Sequence, residues 1–128
     1  MARMPLKDSV YASLETEKRN PRSRNIDRAS ILEAVRLLHN RFPVDRVILY
    51  GSKARGSDDA ESDIDLLVLT ARKLDRAERS ALTDALFDVQ VAHGVVFSTL
   101  VVPTEEWEEG LCAVLPIHDE VERDGVRL

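Results

Sequence analysis

The sequence contains only one cysteine, Cys112, and this scarcity limits the class of protein that it can encode. A single cysteine excludes an internal disulfide, and its place in an apolar run predicts a buried thiol in a reducing compartment. No run approaches the roughly eighteen consecutive apolar residues of a membrane span, and the N-terminus lacks the apolar region of a signal peptide. We therefore expect a cytoplasmic protein that has no membrane partner.

Several common site signatures are missing as well. His39, His93 and His118 are far apart and have no Cys or His neighbours at metal-ligand spacing, which argues against a zinc site. No P-loop, dinucleotide fingerprint or Ser-His-Asp order is present. The length of 128 residues predicts one domain with a single core and little room for an added substrate domain.

Negative charge predominates, and it is unevenly distributed. Residues 1–41 carry nine Lys and Arg against five Asp and Glu, whereas residues 42–128 carry nine against eighteen. An acidic body argues against tight nucleic-acid binding, because phosphate neutralisation needs a basic face. The acidic surface would suit a basic protein partner, or it serves only solubility.

The basic segment before residue 26 is polar and interrupted by Pro21, which indicates a linker or arm. We predict an N-terminal arm over residues 1–25, either disordered or with a short helix at Val10–Leu14, and a domain over residues 26–128. Periodicity then predicts the elements of that domain. The predicted helices are Asp27–Arg41 with Asp27 as a cap, Asp75–Ala92, one that starts at Pro103–Thr104 and runs through Trp107, and Asp119–Asp124; the predicted strands are Arg46–Tyr50, Ile64–Thr70 and Val95–Val102.

The most informative segment joins a Gly-Ser turn to a pair of alternating aspartates. An apolar, β-branched run ends at Gly51, which predicts a buried strand before a tight turn, and Ser52 opens a candidate helix. After ten further residues come Asp63 and Asp65, with Ile64 between them. Strand side chains alternate between faces, so both carboxylates should point the same way while Ile64 points into the core.

This arrangement favours a metal-bound nucleotide. Two adjacent carboxylates repel each other, and they are tolerated most easily where a divalent cation neutralises them. Mg²⁺ prefers hard oxygen ligands and is commonly bound by one or two carboxylates together with substrate phosphates. The N–H groups at the Gly51-Ser52 helix start, with the Ser52 hydroxyl, would form an anion site. Phosphate and metal would then meet at adjacent strand ends.

The same residues resemble the nucleotidyltransferase superfamily related to DNA polymerase β, in particular its small MNT-type members. The family pattern is a strand, Gly-Ser, a gap of roughly ten residues and two acidic residues that flank an apolar one. Here it reads Gly51-Ser52 and Asp63-Ile64-Asp65, and Ala54-Arg55-Gly56 and Ser62 also match. The resemblance extends over residues 26–128, with high specificity only between Gly51 and Val68.

The resemblance implies an α/β (α+β) fold: a single small domain whose short mixed sheet has flanking helices. It also implies transfer of a nucleoside monophosphate, AMP from ATP, to an acceptor hydroxyl with release of pyrophosphate. Asp63 and Asp65 would be catalytic and would hold Mg²⁺, or Mn²⁺ in its place, against the triphosphate. The nucleotide-binding and phosphate-binding residues would be Gly51, Ser52, Lys53 and Arg55, although Arg55 could equally pair with Asp58, Asp59 or Glu61.

The sequence departs from the family pattern at one position. Many active members carry a third carboxylate on the strand after the second helix, whereas the corresponding strand here has no acid, and Val96 falls about where that aspartate would lie. A replacement would have to come from Asp88, from Glu105 or from a partner. Otherwise the protein would bind nucleotide without turning it over efficiently.

Three functions remain open at this stage. The resemblance implies an antitoxin of a toxin–antitoxin system that transfers AMP to a HEPN-type toxin, its protein partner. The missing third carboxylate favours a non-catalytic binding module that inhibits the same kind of partner by occlusion. Modification of a small molecule is the third candidate, and the lack of an evident acceptor domain argues against it.

Overall fold

The computed structural model describes residues 21–56 and 62–128. Its elements are α1 (Pro21–Arg41), β1 (Val44–Tyr50), α2 (Gly51–Arg55), β2 (Ile64–Thr70), α3 (Arg76–His93), β3 (Phe97–Pro103), α4 (Thr104–Glu109), a 3₁₀ helix (Leu111–Val114), α5 (Pro116–Asp124) and β4 (Val126–Arg127). The helix predicted at Val10–Leu14 lies outside the described residues. None of the helices described is both long and apolar enough to cross a membrane.

The four strands form one mixed sheet in the order β3-β2-β1-β4. β1 pairs antiparallel with β2 and with β4, whereas β2 and β3 run parallel. Parallel neighbours need a crossover connection, and α3 provides it. The prediction of an α/β domain with a short mixed sheet and flanking helices is confirmed.

The two faces of the sheet are covered by different helices. α1 and α3 cover one face, where Leu38 and Leu86 pack in the same cluster as Leu66. α4 and α5 cover the other, where Trp107 and Val121 pack with Leu67. β2 is therefore buried on both sides, and the four side chains from Leu66 to Leu69 each have 0% exposure. Such a strand needs the continuous apolar run that its sequence shows.

Two predicted boundaries are wrong, and each for a tertiary reason. α1 begins at Pro21, so Asp27 lies inside the helix, where it is buried, and does not cap it. β3 begins at Phe97 rather than Val95, since the Gln90 side chain accepts the Phe97 N–H at 2.7 Å and the Gln90 carbonyl accepts that of Val95 at 3.2 Å. The N–H groups of Val95 and Phe97 are thus bonded to α3 and are not available for pairing in a longer strand.

The other predicted elements agree with the structure to within a few residues. β2 has the predicted bounds, and α3 starts with a capping box between Asp75 and Glu78 and ends at the left-handed Gly94. Trp107 is a core residue with 0% exposure. Cys112, predicted to be buried, is only partly so and forms no disulfide.

A buried ion pair joins α1 to α2. Lys53 Nζ lies 3.0 Å from Asp27 Oδ2, and the two side chains have exposures of 1% and 4%. Removing two charges from water is costly, so each depends on the other and on further polar contacts for compensation. The pair therefore fixes α2, and with it the start of this helix at Gly51, against the longest helix described.

Replacement of Lys53 by Met should show how strongly this pair acts. We expect Lys53→Met to lower the free energy of unfolding by about 3–5 kcal/mol, because it leaves the Asp27 carboxylate buried without its ammonium partner. The double variant Asp27→Leu/Lys53→Met should recover much of that loss. Urea denaturation measures both, with Arg79→Met on the exposed face of α3 as a control. A Lys53→Met protein as stable as wild type would contradict the assignment.

Candidate active site

Asp65 is the second residue of β2, and it lies between the two neighbouring strands, β1 and β3. Its register partners are Tyr50, the last residue of β1, and Ser98 near the start of β3. Ile64 is buried in the core as predicted, whereas Asp63 is exposed just before the strand. The ends of β1 and β3 therefore frame the second aspartate, and the first lies beside it at the surface.

The Gly-Ser turn passes directly over this aspartate. Gly51 has the left-handed φ of +72°, and a Cβ built there would overlap Asp65 Oδ2 and lie 3.1 Å from Asp65 Cγ. α2 begins at Gly51, and the preceding residue, Tyr50, makes no side-chain capping hydrogen bond. Because the first N–H groups of a helix have no partner within it, donors for an anion lie beside a carboxylate. Ser52, predicted to bind phosphate, is partly exposed in this first turn.

The environment of Asp65 disfavours its negative charge. Burial raises the pKa of the Asp65 carboxyl above its ordinary value, and the nearby charges of Asp63 and Glu120 raise it further. A hydrogen bond from Ser98 and the charge of Arg55 oppose the shift. The pKa of the Tyr50 hydroxyl is likewise raised by burial, then by Asp65 and Glu120. The site therefore has an excess of negative charge that a cation would relieve.

Glu120 is the residue that sequence reasoning missed. It lies on α5, which contacts both α2 and β1, and it acts on Asp65 and Tyr50 together. Its segment of the sequence is one of several acidic stretches, and no local motif marks it. Only the packing of α5 across the sheet brings this carboxylate to the site.

The two basic residues predicted to bind phosphate have different surroundings. Arg55 Nη1 lies 3.4 Å from Glu120 Oε1 and 3.9 Å from Asp124 Oδ2, and its side chain is 41% exposed. Its predicted alternative partners fall in residues 57–61, outside the described residues. Lys53 lies in the buried pair with Asp27 described above. Arg55 thus lies at the surface of the site, and Lys53 lies beneath it.

The donor set suits a hard divalent cation that also binds phosphate. Within residues 21–56 and 62–128, no group of three or more His, Cys, Asp or Glu is arranged to hold a metal by itself. Asp63 and Asp65 supply carboxylate oxygens, and Gly51 leaves the space above Asp65 free of a side chain. This fits Mg²⁺, which takes its remaining ligands from water and substrate phosphates. Mn²⁺ accepts the same oxygen ligands.

Two glycines with similar, positive φ angles allow a comparison that tests the Gly51–Asp65 contact. Gly94 has φ +67° with nothing within 4 Å of an added Cβ, whereas the same atom at Gly51 meets Asp65. We expect Gly94→Ala to cost about 1–2 kcal/mol of stability for its left-handed backbone. Gly51→Ala should cost about 1–3 kcal/mol more, because the methyl group must displace Asp65. Urea denaturation measures both, and equal losses would show that the contact is not tight.

The raised pKa of Asp65 predicts a pH-dependent stability. A carboxyl whose pKa is raised by folding contributes stability at low pH, and this is lost as pH rises through the folded-state pKa. We therefore expect Asp65→Asn to be more stable than wild type at neutral pH in metal-free buffer. The difference should shrink as pH falls through the pKa of the folded carboxyl. Thermal unfolding over a pH series measures this, and a pH-independent difference would be contrary to it.

Comparisons with known proteins identify the same fold. A family model described as polymerase beta, nucleotidyltransferase matches residues 33–102, more than half of the chain, including Gly51 and both aspartates. A crystal structure of a toxin–antitoxin with AMP-PNP is 21% identical with a TM-score of 0.53, covering 75% of this chain and 69% of that one. A putative nucleotidyltransferase from Sulfolobus solfataricus is 20% identical with a TM-score of 0.51, covering 97% and 89%.

A mutant form of the toxin–antitoxin MntA-HpeT is 24% identical with a TM-score of 0.50, covering 73% of this chain and 67% of that one. No match was found among curated proteins. The family model spans β1, the Gly-Ser turn, both aspartates and nearly all of β3, so the match includes the motif on which the resemblance was first recognised. The chain therefore belongs to the polymerase β-type nucleotidyltransferase family.

Proposed function

We propose that this protein is a magnesium-dependent adenylyltransferase that moves AMP from ATP to a hydroxyl group of a partner protein. The observation that supports it best is the contact between Asp65 and Gly51. This contact brings a metal-binding carboxylate and the start of a helix together, so that one Mg-bound phosphate could reach both. The partner we propose is a HEPN-type toxin, with this chain as its cytoplasmic antitoxin.

The structural relatives support the choice of nucleotide and of partner. One of them is a toxin–antitoxin with AMP-PNP, an adenine nucleotide, and another is a toxin–antitoxin named MntA-HpeT. The acidic body of this chain, with eighteen Asp and Glu against nine Lys and Arg in residues 42–128, would suit a basic protein acceptor.

Each site residue has a role in this proposal. Gly51 would let the phosphates approach the backbone closely, and the Ser52 hydroxyl would donate to a phosphate oxygen. Arg55 would turn from Glu120 toward the triphosphate, because a polyphosphate offers it more negative charge than one carboxylate does. Lys53 would act from below, by holding α2 in place through Asp27 rather than by binding phosphate.

The reaction would exchange one oxygen for another at the α-phosphorus. The acceptor oxygen attacks, the bond to the β-phosphate breaks, and pyrophosphate leaves with the electron pair. Mg²⁺ held by Asp63 and Asp65 would supply neutralisation of the charge on the triphosphate. The chain's own contribution is to hold the phosphates in line and to exclude alternative orientations, which is the main source of catalysis in such transfers.

One observation favours a second candidate, an antitoxin that binds nucleotide and inhibits by occlusion. The residue beside Asp65 on β3 is Ser98, which hydrogen-bonds to it, and not an acid. A site with only two carboxylates would still bind Mg-nucleotide. Its turnover would be slow unless another group accepted the proton of the acceptor hydroxyl.

Removal of the two aspartates distinguishes these functions. The protein is incubated with Mg²⁺ and α-phosphate-labelled ATP in lysate of its source cells, beside Asp63→Ala/Asp65→Ala. We expect label on one protein band and a loss of at least roughly 100-fold in the double variant, as for removal of a major electrostatic contact. The control Asp84→Ala/Asp88→Ala removes equal charge from exposed positions on α3 and should retain labelling.

Calorimetry with Mg-ATP completes the test. The Asp63→Ala/Asp65→Ala protein should lose metal-dependent nucleotide binding while it remains folded. Unchanged Mg-ATP affinity in this variant would contradict the metal site. A wild-type protein that binds Mg-ATP and labels nothing would support the occluding antitoxin instead.

A further inference from the structure

A transfer to a hydroxyl needs a group that accepts its proton, and β3 does not provide one. The register places Ser98 beside Asp65, and Val96 lies before the strand with its side chain exposed to solvent. The backbone oxygen of Val96 accepts the Ile64 N–H at 2.9 Å, so this position serves the sheet rather than the site. The inference below rests on the proposed function and names the residue that completes it.

The two replacements considered from the sequence lie in the wrong places. Ile64 and Leu66 pack beneath α1 and α3, so Asp65 between them faces the opposite side of the sheet. Asp88 is on α3 and is thus separated from Asp65 by the sheet itself. Glu105 lies beyond Pro103, which pairs with Thr70 at the far end of β2, about 16 Å along the strand from Asp65.

Glu120 lies on the correct face of the sheet, unlike Asp88, and at the correct end of it, unlike Glu105. Its helix, α5, covers the face toward which Asp65 points, as the packing of Val121 with Leu67 shows. It also lies at the correct end of the sheet, since its carboxylate contacts Arg55, only a few residues after Gly51. Its side chain is 37% exposed, so an acceptor could reach it.

We propose that Glu120 supplies the third carboxylate of the site and accepts the proton of the acceptor hydroxyl. As the acceptor oxygen bonds to the α-phosphorus and pyrophosphate leaves with the electron pair of the broken P–O bond, the hydroxyl proton passes to the Glu120 carboxylate. Arg55 is paired with this carboxylate in the structure, and its movement to the triphosphate would release the carboxylate from that pair. Nucleotide binding thus prepares the base.

The position of Glu120 beside the two aspartates fits a role as base. Glu120 lies close enough to Asp65 for their charges to interact. A carboxylate at the edge of the metal site, rather than in it, is where an incoming hydroxyl would be deprotonated.

The test compares Glu120→Gln with Asp119→Asn, which removes a charge from the neighbouring, exposed position of the same helix. The initial rate of labelling of source-cell lysate protein is measured at saturating Mg-ATP, and the Mg-ATP dissociation constant is measured by calorimetry. We expect Glu120→Gln to lose at least roughly 100-fold in rate, the lower end for loss of a general base. Mg-ATP should bind no more weakly than to wild type, because Arg55 is released from its pair with Glu120. Asp119→Asn should keep the wild-type rate.

A rescue variant separates proton transfer from a structural role. Ser98→Asp places a carboxylate beside Asp65 from β3, so Glu120→Gln/Ser98→Asp should regain at least about tenfold in rate over Glu120→Gln. Wild-type rate in Glu120→Gln would overturn the inference and leave the proposed function standing. A lost rate that returns when the Mg-ATP concentration is raised further, or no rescue, would also overturn it. A wild-type protein without transferase activity would overturn both.

Discussion

The close approach of Asp65 to Gly51 is the constraint on which the site depends. β1 and β2 are antiparallel neighbours, and Tyr50 pairs with Asp65, so the chain must turn into α2 directly above that carboxylate. The turn is feasible only because Gly51 has no Cβ and can adopt a φ of +72°. Any side chain there would separate the helix start from the aspartate. Glycine is therefore required at position 51 for steric reasons, whatever the site binds.

A site of this kind is assembled at a cost in stability. Burial and two neighbouring carboxylates oppose the charge of Asp65, as its raised pKa shows. The framework that compensates for this lies elsewhere. β2 is buried on both faces and stabilises the fold by apolar burial, whereas the Asp27–Lys53 pair fixes the position of α2. Lys53, predicted from the sequence to bind phosphate, is buried in this pair.

Features that depend on neighbouring residues could be predicted from the sequence, whereas contacts between distant residues could not. The bounds of β2 and the Gly-Ser and aspartate motif depend on neighbouring residues, and both were predicted from the sequence. Asp27 lies 26 residues from Lys53, and a capping signal at Asp27 was overridden by their pairing. Glu120 lies 65 residues from Arg55 in a segment without a motif, so only tertiary packing could reveal it.

The same packing makes the C-terminal helix part of the site. Val121 is 1% exposed in the core, so its neighbour Glu120 is held by a fixed backbone and not by a mobile tail. The His118 ring stacks on Trp107 with centroids 4.7 Å apart, which fastens α5 to α4. The backbone that carries this carboxylate therefore moves only if the helix moves. α5 thus holds Glu120 beside Arg55 through contacts with the core and with α4, and not through the Arg55–Glu120 pair alone.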